Sequence, residues 1–199
     1  MSEIRMPKQK TAIEKRDRII EKGFELMCEK GFYNTSTPDI AKYANVSTGI
    51  IYQYFNDKKD IFIEGVKNYS NSIMFPMIST LENEKINLKD IEKLLNKMID
   101  SLIKSHNISK KAHSEIDAMT HLDEDISEIF KNSEFEMTKK IVKFLENNNI
   151  FLENSLEKVH IVYGIIDNFC HEVVYHKHYE IDYDKMKEEV IKIIKNILK

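Results

Sequence analysis

The sequence predicts an all-α protein, with a small N-terminal three-helix domain followed by a larger C-terminal helical domain. Only five glycines and three prolines occur in 199 residues, so few positions interrupt a helix. Apolar side chains recur at helical spacing along most of the chain. With hydrophobic residues at 42% and charged residues at 32%, the composition is typical of a globular protein with enough apolar material for a core.

Residues 37–62 predict two short helices joined by a tight turn and followed at once by a longer helix. Thr37 is the predicted N-cap of the first helix, because Pro38 behind it fits the first helical position. Asn45 ends that helix, since asparagine tolerates the left-handed backbone that a tight turn requires. Ser47 is the predicted N-cap of the second short helix, and Asp57 that of the long one.

The outward face of the second short helix suits a nucleic acid. Gly49 has no side chain, so the backbone there can lie against a phosphate. Gln53 can read an adenine edge, and the methyl groups of Thr48 or Ile50 can touch thymine methyls. Lys58, in the first turn of the long helix, suits a phosphate. The hydroxyl groups that can donate to phosphate oxygens belong to Ser47, Thr48, Tyr52 and Tyr54.

From about residue 15 to residue 62 the chain resembles the DNA-binding domain of TetR-family transcriptional regulators. The matching stretches are IIEKGFELMCEKGF, TPDIAKYANVSTGIIYQYF and NDKKDIF, in the right order and spacing. Three departures are the use of Asn45 for a usual Gly, Gly23 for a usual Ala, and Thr48 where Lys or Arg is frequent. The resemblance implies phosphate contacts at Thr37, Ser47, Thr48, Gly49, Tyr52, Tyr54 and Lys58, and base contacts at Ile50 and Gln53.

The predicted organisation has three parts. Residues 1–11 form a flexible N-terminal arm, residues 12–56 a TetR-type helix-turn-helix DNA-binding domain, and residues 57–199 a C-terminal helical domain for regulation and dimerisation. Pro76 is expected to break or kink the helix that starts near Asp57. Residues 1–60 carry 11 basic and 9 acidic side chains, a net +2, which leaves −5 for the remainder. A modest attraction to phosphates therefore belongs to the N-terminal part.

The localisation that the sequence predicts is the cytoplasm. No apolar run approaches the roughly 18 residues that span a bilayer, and MSEIRMPKQK lacks the apolar core of a signal peptide, so no membrane partner is expected. Cys28 and Cys170 are far apart and unaccompanied, which favours buried structural thiols.

Residues 153–177 are apolar around most of the helix circumference, and residues 182–199 continue with helical spacing. A helix of this kind must be covered on two sides. The resemblance implies that such a C-terminal helix pair meets its symmetry mate in a four-helix bundle, and Gly164 would allow close approach. A helix buried wholly within one chain remains the alternative. The interface residues predicted for the homodimer are Val162, Ile166, Val173, Val190 and Ile194.

A ligand cavity between the middle helices is a further implication of the resemblance. Methionine and aromatic side chains adapt to varied small, hydrophobic effectors, although at helical spacing they are also ordinary core residues. His160 and Tyr163 are the expected polar contacts. The predicted pocket residues are Met98, Leu102, Met119, Phe130, Phe135, Met137, His160, Tyr163 and Phe169.

The sequence predicts neither a cofactor nor an enzymatic active site. It contains no Gly-rich phosphate loop, nucleophile elbow, H-E-x-x-H or C-x-x-C motif. The histidines, which include His106, His113, His121, His171, His176 and His178, lack ligand-like spacing, so no metal site is expected.

These observations predict a sequence-specific, homodimeric DNA-binding regulator, a repressor released from its operator by a small hydrophobic ligand. One alternative keeps DNA binding but replaces the ligand with a protein partner. An alternative from another class is a helical ligand-binding or enzymatic protein that has lost DNA binding.

Overall fold

The computed structural model describes residues 9–82, 90–108 and 110–199, including the backbone but not the side chains of 72–82 and 108. Within these residues nine α-helices form and no β-strand, which confirms the all-α prediction. None of these helices combines the length and the hydropathy needed to cross a membrane. The helices are α1 (Lys10–Lys30), α2 (Thr37–Tyr43), α3 (Thr48–Tyr54), α4 (Lys58–Glu82), α5 (Ile91–Ile108), α6 (Lys110–Leu122), α7 (Glu124–Asn147), α8 (Ser155–Tyr175) and α9 (Tyr183–Ile197).

The chain forms two compact units. The first comprises the described residues up to Ser70 together with Lys111–Ile129, and the second comprises Asn71–Lys110 and Phe130–Lys199. Helices α4, α6 and α7 therefore each contribute residues to both units. The functional division between residues 56 and 57 stays a prediction.

In the first unit, α1 packs on α2 and α2 packs on α3. Ile51 and Phe55 are the buried residues at α3, at 0% and 2% exposure, and they fix which side of that helix faces inward. Each fully buried side chain of this size stabilises the fold by about 1.5–3 kcal/mol. The other buried apolar residues of these first four helices are Ile19, Ile20, Leu26, Met27, Ile40, Ala41, Ile61, Phe62, Val66 and Tyr69.

Ser47 lies at the predicted N-cap position of α3 without a cap hydrogen bond from its side chain, and the N-cap of α2 differs from the prediction. Ser36, not Thr37, is the N-cap of α2, because Asp39 lies three residues after it and completes a capping box: the Ser36 hydroxyl accepts from the Asp39 N–H, and the Asp39 carboxylate accepts from the Ser36 N–H. The predicted Asp57 cap is confirmed, since its carboxylate accepts from the N–H of Lys59 at 2.7 Å. The hydrogen bonds from Ser36 hold the pKa of Asp39 below its ordinary value.

The turn between α2 and α3 has the predicted left-handed residue. Asn45 has φ 53°, and the Val46 N–H then donates to the Ala41 carbonyl at 2.9 Å. Four residues, 44–47, thus separate the two helices, and α3 begins at Thr48 in a fixed direction.

α6 and the first turn of α7 complete the first unit. Ile116, Met119 and Ile126 are at most 1% exposed. The ammonium group of Lys59 lies 2.8 Å from a carboxylate oxygen of Asp123 and 2.6 Å from one of Asp125, and hydrogen bonds to these two carboxylates raise the pKa of Lys59. Asp123 and Asp125, which lie in the predicted C-terminal domain, thus contact the beginning of α4.

The second unit packs α5 against α8 and α9. Its core includes Ile99, Met137, Cys170 and Ile194, all at 0% exposure. Burial raises the pKa of the Cys170 thiol to about 12, which makes it an unreactive core residue, as predicted.

Gly65 of α4 provides a test of the packing in the first unit. A Cβ atom at Gly65 would lie 2.4 Å from Cδ2 of Phe24, whose ring lies between Phe62 and Tyr69 at centroid distances of 5.5 and 6.2 Å. Because the overlap extends to Cβ of Phe24, which rotation of the ring does not move, we expect Gly65→Ala to lower the free energy of unfolding by about 1–3 kcal/mol in urea denaturation.

The matched control is Gly49→Ala in α3. A Cβ atom there would meet nothing within 4 Å, so this change is expected to raise the free energy of unfolding by about 0.5–1 kcal/mol. Equal effects of the two substitutions would contradict the close approach of α4 to Phe24.

Candidate nucleic-acid interface

α3 presents one side to solvent along its whole length. Ser47, Gly49, Tyr52 and Gln53 are exposed, Tyr52 to 51%. The other predicted DNA contacts are partly buried, and these are Thr37, Thr48, Ile50, Tyr54 and Lys58. Because Ile51 and Phe55 take the inward side, Gly49, Tyr52 and Gln53 share the solvent-facing side of the short helix. Their contact with DNA stays a prediction.

Two features of the interface are open to a ligand. Ser47 occupies the N-cap position of α3 with extended backbone, but its side chain makes no cap hydrogen bond. Its hydroxyl therefore does not serve as a cap. At Gly49 the space where a side chain would stand is empty to 4 Å. A phosphate oxygen can thus approach the backbone of α3 more closely at Gly49 than at its neighbours.

Arg16 of α1 contacts the C-terminal end of α3 on the buried side of that helix. Its guanidinium lies 5.2 Å from the centroid of the Phe55 ring and donates to the Glu64 carboxylate at 3.1 Å. Burial raises the pKa of Glu64, but hydrogen bonds from Lys67 and Arg16 outweigh it and the pKa lies below its ordinary value. No local pattern in the sequence indicates this role of Arg16, because its partners Phe55 and Glu64 are 39 and 48 residues away.

Lys58 has a structural role that the sequence did not reveal. Its ammonium group donates to the backbone carbonyl oxygens of Phe32 at 2.6 Å and Thr35 at 2.7 Å, and lies 4.5 Å from the centroid of the Phe32 ring. These contacts tie the first turn of α4 to the segment between α1 and α2. An ammonium group has three donors, so a phosphate contact remains compatible with this arrangement.

We expect Lys58→Met to lower the free energy of unfolding by about 1–2 kcal/mol, because two backbone carbonyls lose a charged donor. Lys67→Met is the control, since the Lys67 side chain is 50% exposed and pairs with Glu64 three residues earlier; its effect is expected within about 0.5 kcal/mol. Both values come from urea denaturation. An equal loss in the two variants would show that the Lys58 contacts contribute no specific stability.

The second unit contains an apolar cavity of about 40 Å³. Of the predicted pocket residues, Met98, Leu102 and Tyr163 line it. Burial raises the pKa of Tyr163 well above its ordinary value. The other lining residues are Leu94, Leu95, Ile141, Phe144, Leu145, Val159, Val162, Ile166 and Leu198.

The remaining predicted pocket residues lie elsewhere. Met137 and Phe169 are core residues of the second unit, and Met119 is a core residue of the first. Phe135 is 47% exposed, and His160 is exposed with its Nδ1 3.0 Å from the Thr138 hydroxyl. Phe130 is partly buried. A larger pocket that includes these side chains stays a prediction.

Four of the predicted dimer residues, Val162, Ile166, Val190 and Ile194, are buried in the core of the second unit, and Val173 packs against it. Their side chains are covered by their own chain. The opposite sides of α8 and α9 carry exposed apolar residues instead, with Ile161 at 54% and Ile193 at 49% exposure.

Sequence comparison connects these features to known regulators. The family model for bacterial regulatory proteins of the tetR family matches residues 19–64. The chain is 49% identical to HbdR, an HTH-type transcriptional regulator of Aromatoleum sp., over 28% of this chain and 24% of HbdR. It is 29% identical to IcaR, the negative transcriptional regulator of the biofilm operon icaADBC in Staphylococcus aureus, over 66% of this chain and 81% of IcaR.

Solved structures show the same fold over nearly the whole chain. A TetR-family regulator from Mesorhizobium loti superposes with a TM-score of 0.73 at 17% identity, covering 96% of this chain and 98% of that one. A transcriptional regulator from Saccharomonospora viridis, solved in complex with choline, gives a TM-score of 0.67 at 17% identity, covering 92% and 96%.

An exposed short helix after a closed turn, in an all-helical chain, is the helix-turn-helix arrangement found in many transcriptional regulators. These relatives and structural neighbours are transcriptional regulators rather than enzymes. Residues 19–64 match the DNA-binding domain of the tetR family, and nearly the whole chain has the fold of TetR-family regulators.

Proposed function

We propose that the protein is a homodimeric repressor that binds a near-palindromic operator in the cytoplasm and is released by a small apolar ligand. The exposed side of α3, with its open backbone at Gly49, carries the proposal. The similarity to IcaR, a negative regulator, favours repression. Two copies of α3 would enter successive major grooves about 34–36 Å apart.

The residues of this surface divide into two roles. Thr37, Ser47, Thr48, Gly49, Tyr52, Tyr54 and Lys58 bind phosphates, and Ile50 and Gln53 approach bases. The phosphate contacts position α3 without reading sequence, whereas the Gln53 amide can make two hydrogen bonds to an adenine edge.

The dimer forms through the outward sides of α8 and α9. Ile161, Gly164 and Ile193 are exposed there, and Ile165 and Ile197 are partly buried. These outward residues take the place of the dimer residues predicted from sequence, which the core of the second unit covers. A glycine inside a helix lowers stability by about 1 kcal/mol relative to alanine. Nothing lies within 4 Å of a Cβ atom at Gly164, so no contact in the chain requires the glycine, whereas close approach of a partner helix does.

The effector enters the apolar cavity of the second unit. At about 40 Å³ this cavity is far smaller than the several hundred Å³ of typical ligand sites, so a ligand must expand it. Its wall is aliphatic apart from Phe144 and Tyr163 and contains no acidic side chain. This lining favours an uncharged, apolar ligand over a quaternary ammonium such as the choline bound by the neighbour, which aromatic cages recognise.

Release follows from linkage between the two sites. α4 runs from the DNA-binding unit into the second unit, so a ligand that shifts it changes the spacing of the two α3 helices. A ligand that weakens operator binding by a given factor is itself bound more weakly, by the same factor, when the operator is present.

The small cavity also favours a second candidate, control by a protein partner. Phe151 is an exposed apolar residue of the second unit, at 75%, and can contact another protein. Calorimetry with hydrophobic compounds separates the candidates, because heat of binding and operator displacement are expected only for the ligand-controlled repressor.

The DNA contacts are tested with two variants of the exposed side of α3. Gln53→Ala is expected to relax base preference at particular operator positions, by about 1–3 kcal/mol per base pair. Tyr52→Phe removes one phosphate hydroxyl and is expected to weaken all sequences to a similar extent. Affinities are measured by fluorescence anisotropy on matched duplexes at fixed salt. If Gln53→Ala leaves every base preference unchanged, the assigned orientation of α3 is wrong.

A further inference from the structure

His106 of α5 and Asp167 and His171 of α8 form a polar cluster inside the second unit. Nε2 of His106 lies 3.5 Å from Oδ1 of Asp167, and Nε2 of His171 lies 3.6 Å from Oδ2 of the same carboxylate. The two imidazole rings pack edge to face with centroids 5.1 Å apart. His106 is 2% exposed. Neither DNA binding nor the apolar cavity explains why two histidines face one carboxylate there.

The protonation of His106 follows from its second hydrogen bond. Nδ1 lies 2.9 Å from the carbonyl oxygen of Leu102, and a carbonyl only accepts, so Nδ1 carries a proton. Nε2 therefore faces the carboxylate, and either a proton or a metal ion must separate these two acceptors. An imidazole held through its other nitrogen by a backbone carbonyl is the usual support of a metal ligand. Tyr175 donates to the His106 carbonyl oxygen at 2.9 Å and helps to hold this turn.

We propose that His106, Asp167 and His171 bind one divalent transition-metal ion. The two imidazole nitrogens face different oxygens of the carboxylate, so Asp167 would hold the ion through both oxygens. With metal–ligand bonds of about 2.0–2.2 Å, a nitrogen and an oxygen on one ion lie roughly 3.4 Å apart, close to the observed 3.5 and 3.6 Å. One ring nitrogen of His106 lies within 4.8 Å of one of His171, so the two would approach by up to about 1.4 Å, which the 30% exposed His171 side chain permits.

The donor set selects the class of metal. Two imidazoles and one carboxylate suit Zn²⁺, Co²⁺, Ni²⁺ or Fe²⁺. A water molecule or another ligand can take a remaining coordination position. The ion would link α5 to α8, two helices that already pack together. Leu102, whose carbonyl orients His106, also lines the apolar cavity, so the metal would brace one wall of that cavity.

The test uses the full-length, chelator-treated protein and Zn²⁺ as the probe. Calorimetry is expected to show one ion bound per chain at micromolar concentration or below, and saturating Zn²⁺ is expected to raise Tm by about 5 °C. Asp167→Asn, which preserves size, and His171→Ala are each expected to weaken binding at least 10-fold. His178→Ala, in the exposed segment after α8, is the control and is expected to bind as the wild type does.

A measurement on the wild-type protein keeps the proposal testable even if the variants fail to fold. In histidine NMR spectra of the wild type, substoichiometric Zn²⁺ is expected to shift the ring signals of His106 and His171 before those of His176 and His178. Absence of Zn²⁺ binding would overturn the proposal and leave an ion pair between a protonated His106 and Asp167. Equal binding by the wild type, Asp167→Asn and His171→Ala would also overturn it. The proposed DNA binding does not depend on the metal, so neither outcome tests it.

Discussion

Replacing Gly49 with glutamate is expected to lower operator affinity at least 100-fold while the protein stays folded. Gly49 is exposed, and no atom lies within 4 Å of the place that a Cβ atom would take, so a larger residue fits the free protein. At the DNA surface the same side chain occupies the space of a phosphate and brings two negative charges together. At 4 Å that repulsion is worth about 4 kcal/mol near a protein surface, more than a 100-fold loss requires.

Two further variants separate shape from charge. Gly49→Gln has nearly the size of glutamate without its charge, and is expected to lose less affinity and to show a weaker dependence of that loss on salt. Gly49→Ala is expected to be more stable than the wild type and intermediate in affinity. Anisotropy with an operator duplex at several salt concentrations measures all three. Binding by Gly49→Glu within threefold of the wild type would show that α3 does not lie against the DNA.

The double variant Ile161→Glu/Ile193→Glu is expected to be monomeric and to lose at least 100-fold in affinity for a full operator. Both side chains are about half exposed in the single chain, so glutamate is tolerated there, but a dimer core would bury four uncompensated charges. Binding of the second α3 then ceases to be intramolecular, and the gain from a linked second site is lost.

A duplex with a single half-site provides the internal control. Because each α3 is intact, the double variant is expected to bind this duplex as tightly as one α3 of the wild type does. Phe151→Glu is the second control. It introduces the same charge at a 75% exposed position before α8 and is expected to remain dimeric. Light scattering after size exclusion reports the mass. A dimeric double variant would place the interface elsewhere.

Local signals explain what the sequence predicts well. Asn45 and Asp57 act within a few residues of themselves, so the turn and the start of α4 are confirmed. The cap of α2 required a choice between neighbouring hydroxyls, and Ser36 rather than Thr37 is the cap because its partner Asp39 has the right spacing. Of the two effects expected at Pro76, the break is wrong, since α4 continues to Glu82, and the kink stays a prediction. A proline removes one backbone hydrogen bond, and the bonds on both sides of it still define a helix.

Tertiary partners explain what the sequence does not predict. The apolar circumference of α8 indicates two covered sides, but only the packing of α5 and α9 shows that Val162 and Ile166 face inward. Likewise His106 and His171 are 65 residues apart, and only the fold brings both to Asp167. The stabilising contacts of Lys58 do not follow from local sequence either, because its carbonyl partners lie more than 20 residues earlier.

Selection of duplexes from a random pool by the purified wild-type protein tests the account most directly. The expected result is one enriched, near-palindromic sequence, with half-site centres about 10–10.5 base pairs or a multiple of that spacing apart, bound by two chains. Gly49→Glu, carried through the same selection, is expected to enrich nothing. A wild-type pool that stays random after repeated rounds, at salt low enough for phosphate binding, would contradict sequence-specific recognition by α3.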